Sequence, residues 1–416
     1  MVAFYVRLPI IGDSVQAIIS EKFHFPSDAS QNLFAVKRPK SPELLDSLLI
    51  RINYGWISFG INLLSNNEVD LTQISRYATN EISSLSREAM IRTWCAIQLG
   101  FWREGTVERS SAVQEYLRLN DELEELFLFR IDGGDVRQEP KPNFPETARW
   151  LAVRVDFYIS LIRLALKVGP LPDGLLIPIA IGDTTISSET APIFSFQKTA
   201  QTPCPLITDP DFIYLRYYTD EMYADPLSYR AKQASAVFAG STTGAGHTVE
   251  SIQALSSERV AAAVAFRDDP RIDFRLPSVV QCVTPEAEDL LIRMGFGQGN
   301  YLSWQDQFRH KFVISLDGNG ATCSRVAISL KSNSVLLKYH SQSMLYYFYT
   351  MIPWVHYIPI RTHSDVVRVI EREEKEPGIF ENIAENGRDF YLRYLNKDNI
   401  IRYAWMILSE FDGCFR

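Results

Sequence analysis

The stretch "KFVISLDGNGATCSRVAISLKSNSVLLK" (Lys311–Lys338) indicates the fold class of the chain. It begins with an apolar run, continues through a turn of glycine and small residues, passes into a segment with helical spacing, and ends in a second apolar run. A strand, a helix and a second strand in this order are typical of parallel strands joined by a crossover helix. We therefore predict an α/β fold.

Four further apolar runs extend this prediction in both directions. They are "LLIPIAIGD" (175–183), "PIFSF" (192–196), "SAVFAG" (235–240) and "HYIPI" (356–360). The first is short and bounded by glycine and aspartate, which suits a buried strand of a parallel sheet with "PIFSF" as its neighbour. Helical segments separate the later runs, including one helix expected around "TVESIQALSSERVAAAVAF" (248–266). Two α/β units in tandem are predicted.

The first 130 residues have mostly helical spacing after an initial strand in residues 1–14. A helix is predicted from Asp70 to about Ala89, and another from about Val107 to Phe129. The inward residues of the second helix should include Val113, Leu117 and Leu126. The chain should end in a helix that Asp398 caps. Its apolar face should be formed by Ile401, Ala404, Trp405, Leu408 and Phe411.

The composition of the 416-residue chain is that of a soluble globular protein, with 46% hydrophobic and 22% charged residues. This length predicts more than one domain. The net charge of −8 argues against nucleic acid as a partner, and no apolar stretch predicts a transmembrane segment. The five cysteines are widely spaced, with no CxxC pair, which favours a reducing cytoplasm.

Three turns rich in small residues follow predicted strands, where parallel α/β sheets bind ligands. They are "AGSTTGAG" (239–246), "LDGNGATCSR" (316–325) and "IRTHSDV" (360–366). Glycines allow backbone N–H groups to approach a phosphate, and helix N-termini and hydroxyls supply further donors. Arg325 adds a fork of donors suited to a diphosphate. Each turn alone is a weak signal, because such turns are also common structural connections.

Several enzyme classes are disfavoured by missing motifs. "GAGH" (244–247) lacks the lysine of a P-loop, kinase motifs are absent, and no GxSxG elbow of a hydrolase occurs. The histidines show no HExxH or HxH spacing, so no metal ligands are predicted. "DPD" (Asp209–Asp211) has the spacing of a metal-binding Asp-x-Asp, but Asp-Pro pairs usually begin turns, which we take as the better interpretation.

Several segments in one order resemble glycosyltransferase family 90, the Rumi-type protein O-glucosyltransferases and capsule-associated glycosyltransferases. They include "VFAGSTTG" (237–244), "WQDQFRHKFVISLDGNGATCSRVAISLKSNSVLLK" (304–338), "MIPWVHYIPI" (351–360) and "IAENGRDFYLRYL" (383–395). The similarity covers roughly residues 150–412, including "PIFSFQKT" (192–199). It implies a GT-B architecture of two Rossmann-like domains facing across a cleft, a UDP-sugar donor, inversion at the anomeric carbon, and no required metal or other cofactor.

With this resemblance, four regions are expected. They are a mostly helical region (1–130), a first Rossmann-like domain on the acceptor side (131–233), a second that binds the donor (234–395) and a final helix (396–416) that packs back on the first.

The resemblance also implies donor-binding positions. Gly240, Ser241 and Thr242 match the family's donor loop, although Thr242 stands where some members have arginine. The other matched positions are Asp306 before a strand, Gly320, Ser324 and Arg325 at the diphosphate turn, and Ser364 and Asp365 at a helix start. His356 is either a ligand or a core histidine.

Two carboxylates compete for the role of general base, the catalytic residue that takes the proton of the acceptor hydroxyl. Counting back from the helix at Val155 to the family's catalytic position leads to Glu146, although the surrounding motif is missing. Glu146 equally suits an exposed first-turn helix residue after Pro145. Asp183, at the end of "LLIPIAIGD", matches an acidic family position and is the rival.

The expected function is transfer of glucose or xylose from a UDP-sugar to a glycan or glycolipid acceptor in surface polysaccharide or lipopolysaccharide synthesis. The expected location is the cytoplasm, with a peripheral position at the inner face of a membrane as a variant. The alternative is a non-catalytic scaffold that binds a nucleotide sugar or a glycan, which the missing base motif leaves open.

Overall fold

The computed structural model describes residues 85–104, 107–141, 149–199, 202–297, 299 and 301–416. The predicted first strand, Glu146 and all but the last residues of the predicted helix from Asp70 to Ala89 lie outside these ranges. The longer helices are α1 (Arg87–Glu104), α2 (Arg109–Glu122), α3 (Arg149–Leu166), α7 (Glu258–Ala265), α8 (Pro285–Arg293), α10 (Cys323–Lys331), α11 (His363–Lys375), α12 (Glu381–Tyr394) and α13 (Lys397–Phe411). The short helices are α4 (Asp211–Tyr214), α5 (Asp220–Tyr223), α6 (Val249–Gln253) and α9 (Trp304–Gln307).

The strands form two main sheets and one short pair. They are β1 (Leu126–Asp132), β2 (Asp135–Gln138), β3 (Leu176–Ala180), β4 (Phe194–Ser195), β5 (Lys198–Thr199), β6 (Gln233–Ser241), β7 (Ile272–Ser278), β8 (His310–Ser315), β9 (Val335–Tyr339), β10 (Ser343–Met344) and β11 (Ile358–Ile360). The first sheet has the order β2-β1-β3-β4, and the second has the order β11-β9-β8-β6-β7. The fold is therefore mixed α/β, as predicted.

The first sheet corrects one prediction and confirms another. The helix expected from Val107 to Phe129 ends at Glu122, and the chain enters β1 at Leu126. Leu117, expected to face inward, is 47% exposed. Strand β1 pairs antiparallel with β2 and β3, so pairing with distant residues overrides the local helical pattern. Strand β3 is buried throughout and lies parallel to β4, as predicted for "LLIPIAIGD" and "PIFSF".

The second sheet is parallel at every pairing of its strands. Parallel strands joined by helices need apolar strands, because helices cover both faces. Every residue of β8 except His310 is buried, and every residue of β9 except Lys338 is buried. The prediction from Lys311–Lys338 is thus confirmed, with β8, α10 and β9 as its strand, helix and strand.

Two helix predictions need correction at their ends. The segment 248–266 forms two helices, α6 and α7, because Leu255 between them adopts a positive φ of 51°. The last helix begins at Lys397, and Asn396 rather than Asp398 caps it by accepting a hydrogen bond from Asn399 N–H. The predicted apolar face of α13 packs against α1 and α3.

Three structural features are absent from the described residues, namely a membrane-spanning helix, a metal-binding cluster and a disulfide. No helix there combines the length and the apolar character needed to cross a membrane. Nor do His, Cys, Asp and Glu side chains in these ranges form a group of three or more that could hold a metal ion. All five cysteines are free thiols.

Gly387 in α12 provides a test of the packing of α12 against α10 and the segment before β11. A Cβ at this position would lie 2.8 Å from the backbone oxygen of His356 and 3.2 Å from Leu330. We expect Gly387→Ala to lower the free energy of unfolding by about 1–3 kcal/mol, because a backbone atom cannot move aside easily.

Gly100 in α1 is the matched control, since nothing lies within 4 Å of a Cβ there. Gly100→Ala should be neutral or stabilise by up to about 1 kcal/mol, through helix propensity alone. Equilibrium denaturation in urea compares the two variants. Equal midpoints would contradict the packing described for Gly387.

Candidate functional site

The carboxyl ends of the parallel strands share one edge of the second sheet, and two glycine-containing loops meet there. The loop after β6 (242–248) approaches the loop after β8 (316–322), because a Cβ at Gly244 would lie 3.0 Å from the backbone oxygen of Gly318. Gln281, in the loop after β7, accepts a hydrogen bond from Gly244 N–H and donates one to Asn319. Three loops therefore form one surface at this edge.

Two guanidinium groups lie close to the carboxyl end of β6, where the first of these loops begins. Arg259, from α7, is 7% exposed and donates to the backbone oxygens of Ser241, Leu316 and Asp317 and to the Thr243 hydroxyl. Arg325, from the first turn of α10, donates to Gln307 Oε1 at 3.0 Å and to the backbone oxygen of Ala239. Both lie over the ring of Phe238, with Cζ at 5.4 and 4.5 Å from its centroid.

Neither guanidinium is neutralised by an ion pair with another described residue, because their partners are carbonyl, amide and hydroxyl oxygens. Burial lowers the pKa of Arg259 to about 10 and the pKa of Arg325 to about 9. The positive charge of Arg259 also contributes to the lowered pKa of Arg325. Like charges in a low-dielectric site repel each other. An anion placed between the loops and these groups relieves that repulsion.

A third cation and a carboxylate extend the charged region. Burial lowers the pKa of Lys338, at the end of β9, and raises the pKa of Asp317; each charge opposes the shift of the other. Asp317 also accepts a hydrogen bond from Ser341. Its negative charge partly offsets the lowering of the pKa of Arg259 by burial. Guanidinium groups without an ion-pair partner are groups that can bind a polyanion such as a diphosphate.

The predicted donor loop lies at this edge, and its residues differ in what they offer a ligand. Gly240 and Ser241 end β6, and the backbone of Ser241 contacts Arg259. Thr242 is fully buried, and its hydroxyl donates to the backbone oxygen of Val280 while accepting from Val280 N–H. Thr242 therefore attaches the loop to the neighbouring segment after β7.

The predicted diphosphate turn contains Gly320, Ser324 and Arg325. A Cβ at Gly320 would overlap the side-chain amide of Gln197, so the glycine lets this amide approach the turn. Gln197 accepts from Ala321 N–H and donates to the backbone oxygen of Asp183. The turn is thereby joined to the first sheet.

Ser324 faces a carboxylate from another part of the chain. Burial raises the pKa of Asp211, and hydrogen bonds from the Ser324 hydroxyl and N–H oppose that rise. Asp211 thus occupies the N-terminus of α10, where a negative charge is stabilised. Arg325, with two of its five N–H donors used in the contacts above, is the residue of this turn with donors to spare.

The remaining predicted donor residues form no hydrogen bond or ion pair with either arginine in the described part of the chain. Asp365 is buried and accepts hydrogen bonds from Arg361 N–H and Thr362 N–H, while the exposed Ser364 contacts the Thr362 hydroxyl. Both begin α11 after β11, two strands from β8 along the same edge. Asp306 precedes the amino end of β8, where Ser303 donates to its carboxylate and lowers its pKa.

Asp183 is the candidate base that lies within the described residues. It follows β3 and lies against the loop after β8. Arg154 Nη2 donates to its Oδ1 at 2.8 Å, and Asn319 Nδ2 donates to its Oδ2 at 2.9 Å. Its side chain is one third exposed, at 33%. The structure therefore places a solvent-accessible carboxylate beside the phosphate-suited turn; the rival, Glu146, lies outside the described residues.

His356 is a core histidine. Its Nδ1 accepts a hydrogen bond from Ile352 N–H, and burial lowers its pKa to about 3. Sequence reasoning missed Arg259, although an arginine in the apolar helix "SERVAAAVA" (257–265) was a usable signal. It also treated Asp209–Asp211 as a simple turn. No local pattern linked Asp211 to Ser324, which lies more than 100 residues away.

Asp209 yields a prediction of pH-dependent stability. It is 2% exposed, its Oδ2 accepts from the Tyr217 hydroxyl, and its Oδ1 has no hydrogen-bond partner among the described residues. Burial, and next the charge of Asp211, raise its pKa to about 7. An unfolded aspartate titrates near pH ~3.9. The folded state therefore keeps a proton that the unfolded state has lost, and stability falls as the pH rises from about 4 to 7.

We expect Asp209→Asn to match the wild type near pH 4 and to exceed it at pH 8, by a free energy of unfolding on the order of 1–4 kcal/mol. Thermal unfolding at the two pH values measures this difference. Asp156→Asn, on the exposed side of α3, is the control and should leave the pH dependence unchanged. The prediction fails when Asp209→Asn and the control show the same pH dependence.

Comparison with known proteins assigns the second sheet and its surroundings to a family. Residues 226–415 match the model of Glycosyl transferase family 90. Protein O-glucosyltransferase 2 of Danio rerio is 29% identical over 112 residues, which cover 27% of this chain and 22% of that protein. Protein O-glucosyltransferase 1 of Homo sapiens is 29% identical over 109 residues, covering 26% of this chain and 27% of that protein.

A viral protein, Uncharacterized protein 035R of Invertebrate iridescent virus 3, is 29% identical over 112 residues, or 26% of this chain and 10% of that protein. The chain thus spans less than a third of the length of each of these relatives. The family match includes the whole parallel sheet, Arg259 and Arg325. Residues 226–415, a little under half of the chain, thus show the similarity to glycosyltransferase family 90 that the sequence motifs predict.

Proposed function

We propose that the protein is an inverting glycosyltransferase that moves a sugar, glucose or xylose, from a UDP-sugar to a hydroxyl of a glycan or glycolipid. The observation that carries the proposal is the pair Arg259 and Arg325, two guanidinium groups without an ion-pair partner among the described residues, at the ligand-binding edge of a family 90 domain. Such groups suit a diphosphate whose charge grows as the sugar departs.

The proposed reaction is a single displacement. The acceptor oxygen forms a bond to the anomeric carbon while a carboxylate, Asp183 or Glu146, takes the hydroxyl proton. The bond from the anomeric carbon to the diphosphate breaks, and UDP leaves with the electron pair. Arg325 and Arg259 stabilise this charge, so we propose that no metal ion is required.

In the same proposal the first sheet and the second sheet form the two halves of a GT-B enzyme. Asp183 follows the first sheet and Arg325 lies in the second, and Asn319 joins their surroundings through its bond to Asp183. Synthesis of a surface polysaccharide or lipopolysaccharide at the cytoplasmic side of a membrane is the proposed setting.

The test is incubation of the full-length protein with UDP-glucose, UDP-xylose, UDP-galactose and UDP-N-acetylglucosamine, with and without neutral oligosaccharides. UDP release from one donor, an inverted anomer in the product by NMR, and full activity in a chelator support the proposal. Binding of UDP without release from any donor would instead identify the scaffold. Absence of both UDP binding and UDP release would refute the transferase and the nucleotide-sugar scaffold, and would leave only a scaffold that binds a glycan.

A further inference from the structure

Helix α3 lies beside the candidate base Asp183 and, together with α4, carries an exposed aromatic face. Trp150 and Val153 on α3 are 50% and 49% exposed, and Tyr214 on α4 is 64% exposed. Trp150, Val153 and Phe157 are three and four residues apart and so share one side of α3. The ring of Phe157 lies 5.4 Å from that of Tyr214, which joins the two helices. We call these four residues the aromatic face.

The aromatic face is continuous with the candidate site through Arg154. Its Cζ lies 5.0 Å from the centroid of the Trp150 ring, and its Nη2 lies 2.8 Å from Asp183 Oδ1. Arg154 also donates to the backbone oxygen of Ile181, which holds the guanidinium in place. A ligand stacked on Trp150 is therefore separated from Asp183, the carboxylate proposed to take the acceptor proton, by the guanidinium of Arg154.

The shape and charge of the face select the class of ligand. From Trp150 to Phe157 the helix rises about 10 Å, which accommodates more than one sugar ring. Exposed aromatic rings bind the apolar C–H face of a pyranose, while its hydroxyls stay in water. Arg154 and Arg163 of α3 are already paired with Asp183 and Asp135. An anionic lipid surface would require unpaired cations, so a neutral ligand fits better.

We propose that the aromatic face binds the acceptor as a neutral oligosaccharide, stacked on Trp150 and Tyr214 so that its terminal hydroxyl reaches Asp183. This inference rests on the proposed function, because it assigns the acceptor class of the same site. It adds a binding surface on α3 and α4, outside the loops that face the diphosphate.

Binding of linear gluco-, xylo- and manno-oligosaccharides of four to six units is measured by calorimetry for the full-length protein. Trp150→Ala and Tyr214→Ala should each weaken binding about five- to tenfold, and Trp150→Phe should restore most of the loss. Phe101→Ala is the matched control, since Phe101 is 62% exposed on α1. It should leave binding unchanged.

Two further measurements separate this inference from the proposed function. UDP affinity and acceptor-independent hydrolysis of the UDP-sugar should be unchanged in Trp150→Ala and Tyr214→Ala, whereas the KM for the acceptor should rise. If the protein neither binds UDP nor releases it, but the two variants lose oligosaccharide binding, the aromatic face stands and the transferase proposal falls.

Three results would overturn the inference. One is that no oligosaccharide of the panel binds the wild type; another is that all variants bind equally well. The third is that Trp150→Ala and Tyr214→Ala reduce binding to phosphatidylcholine vesicles and leave oligosaccharide binding intact, which would make the face a lipid contact.

Discussion

Replacing Arg325 by alanine is expected to lower sugar transfer by about 10²–10³-fold, the usual effect of removing one donor aimed at developing charge. The guanidinium lies in the first turn of α10, over Phe238, with no ion-pair partner in the described part of the chain. Its charge is therefore available to a departing diphosphate. UDP affinity should fall about tenfold or more, since hydrogen bonds to charged groups contribute most to binding.

Arg325 also has structural contacts, with Gln307 and the backbone of Ala239. Arg325→Lys keeps the positive charge but loses the planar guanidinium with its several donors. It should therefore recover part of the activity that Arg325→Ala loses. Arg293→Ala is the matched control, because Arg293 is an exposed arginine at the end of α8 and should change transfer less than twofold. Thermal unfolding with and without UDP completes the comparison.

A role in donor binding predicts that UDP stabilises the wild type more than Arg325→Ala. A purely structural role predicts a lower melting temperature without UDP and an equal gain from UDP in both proteins. The assignment of Arg325 is refuted if Arg325→Ala transfers sugar at the wild-type rate from every donor.

The second large effect is expected at the general base, where Asp183→Asn or Glu146→Gln should lower kcat by about 10²–10⁴-fold. Asp183 lies beside the phosphate-suited turn and is partly exposed, as a base that meets an acceptor must be. Because the amide cannot take a proton, the loss should appear in kcat, with UDP affinity retained.

Asp183→Asn also alters the contact with Arg154, so a control for positioning is needed. Asn319→Ala removes the other hydrogen bond to Asp183 and leaves the carboxylate in place. It should cost far less than Asp183→Asn if proton transfer is the role. If neither Asp183→Asn nor Glu146→Gln loses more than about tenfold, both assignments are wrong. Asp211, at the N-terminus of α10, would then be the next carboxylate to replace.

Much of the second sheet could be predicted from local patterns. Apolar runs of strand length alternate with amphipathic segments between residues 235 and 360, and this alternation specifies parallel strands. The small residues after β6 and β8 mark the ligand-binding edge for the same reason. Arg325 was identified because it directly follows one of these turns.

The first sheet was predicted less well. "LFLFRID" (126–132) continues a helical spacing from α2, and only its partners β2 and β3 make it a strand. Hydrogen bonds of a sheet join residues distant along the chain, so a helical period within one segment cannot exclude them. The division of segment 248–266 into two helices depends likewise on the backbone of Leu255.

By itself, then, the sequence determined four of the five strands of the parallel sheet, the glycine turns and the position of Arg325, but not strand β7 (Ile272–Ser278). The tertiary structure decided which side chains meet: it placed Arg259 beside Arg325, Asp211 against Ser324, and Arg154 between Trp150 and Asp183. The physical reason is that periodicity and turn chemistry are local properties of the chain. Charge proximity and burial depend on packing between segments that lie far apart in the sequence.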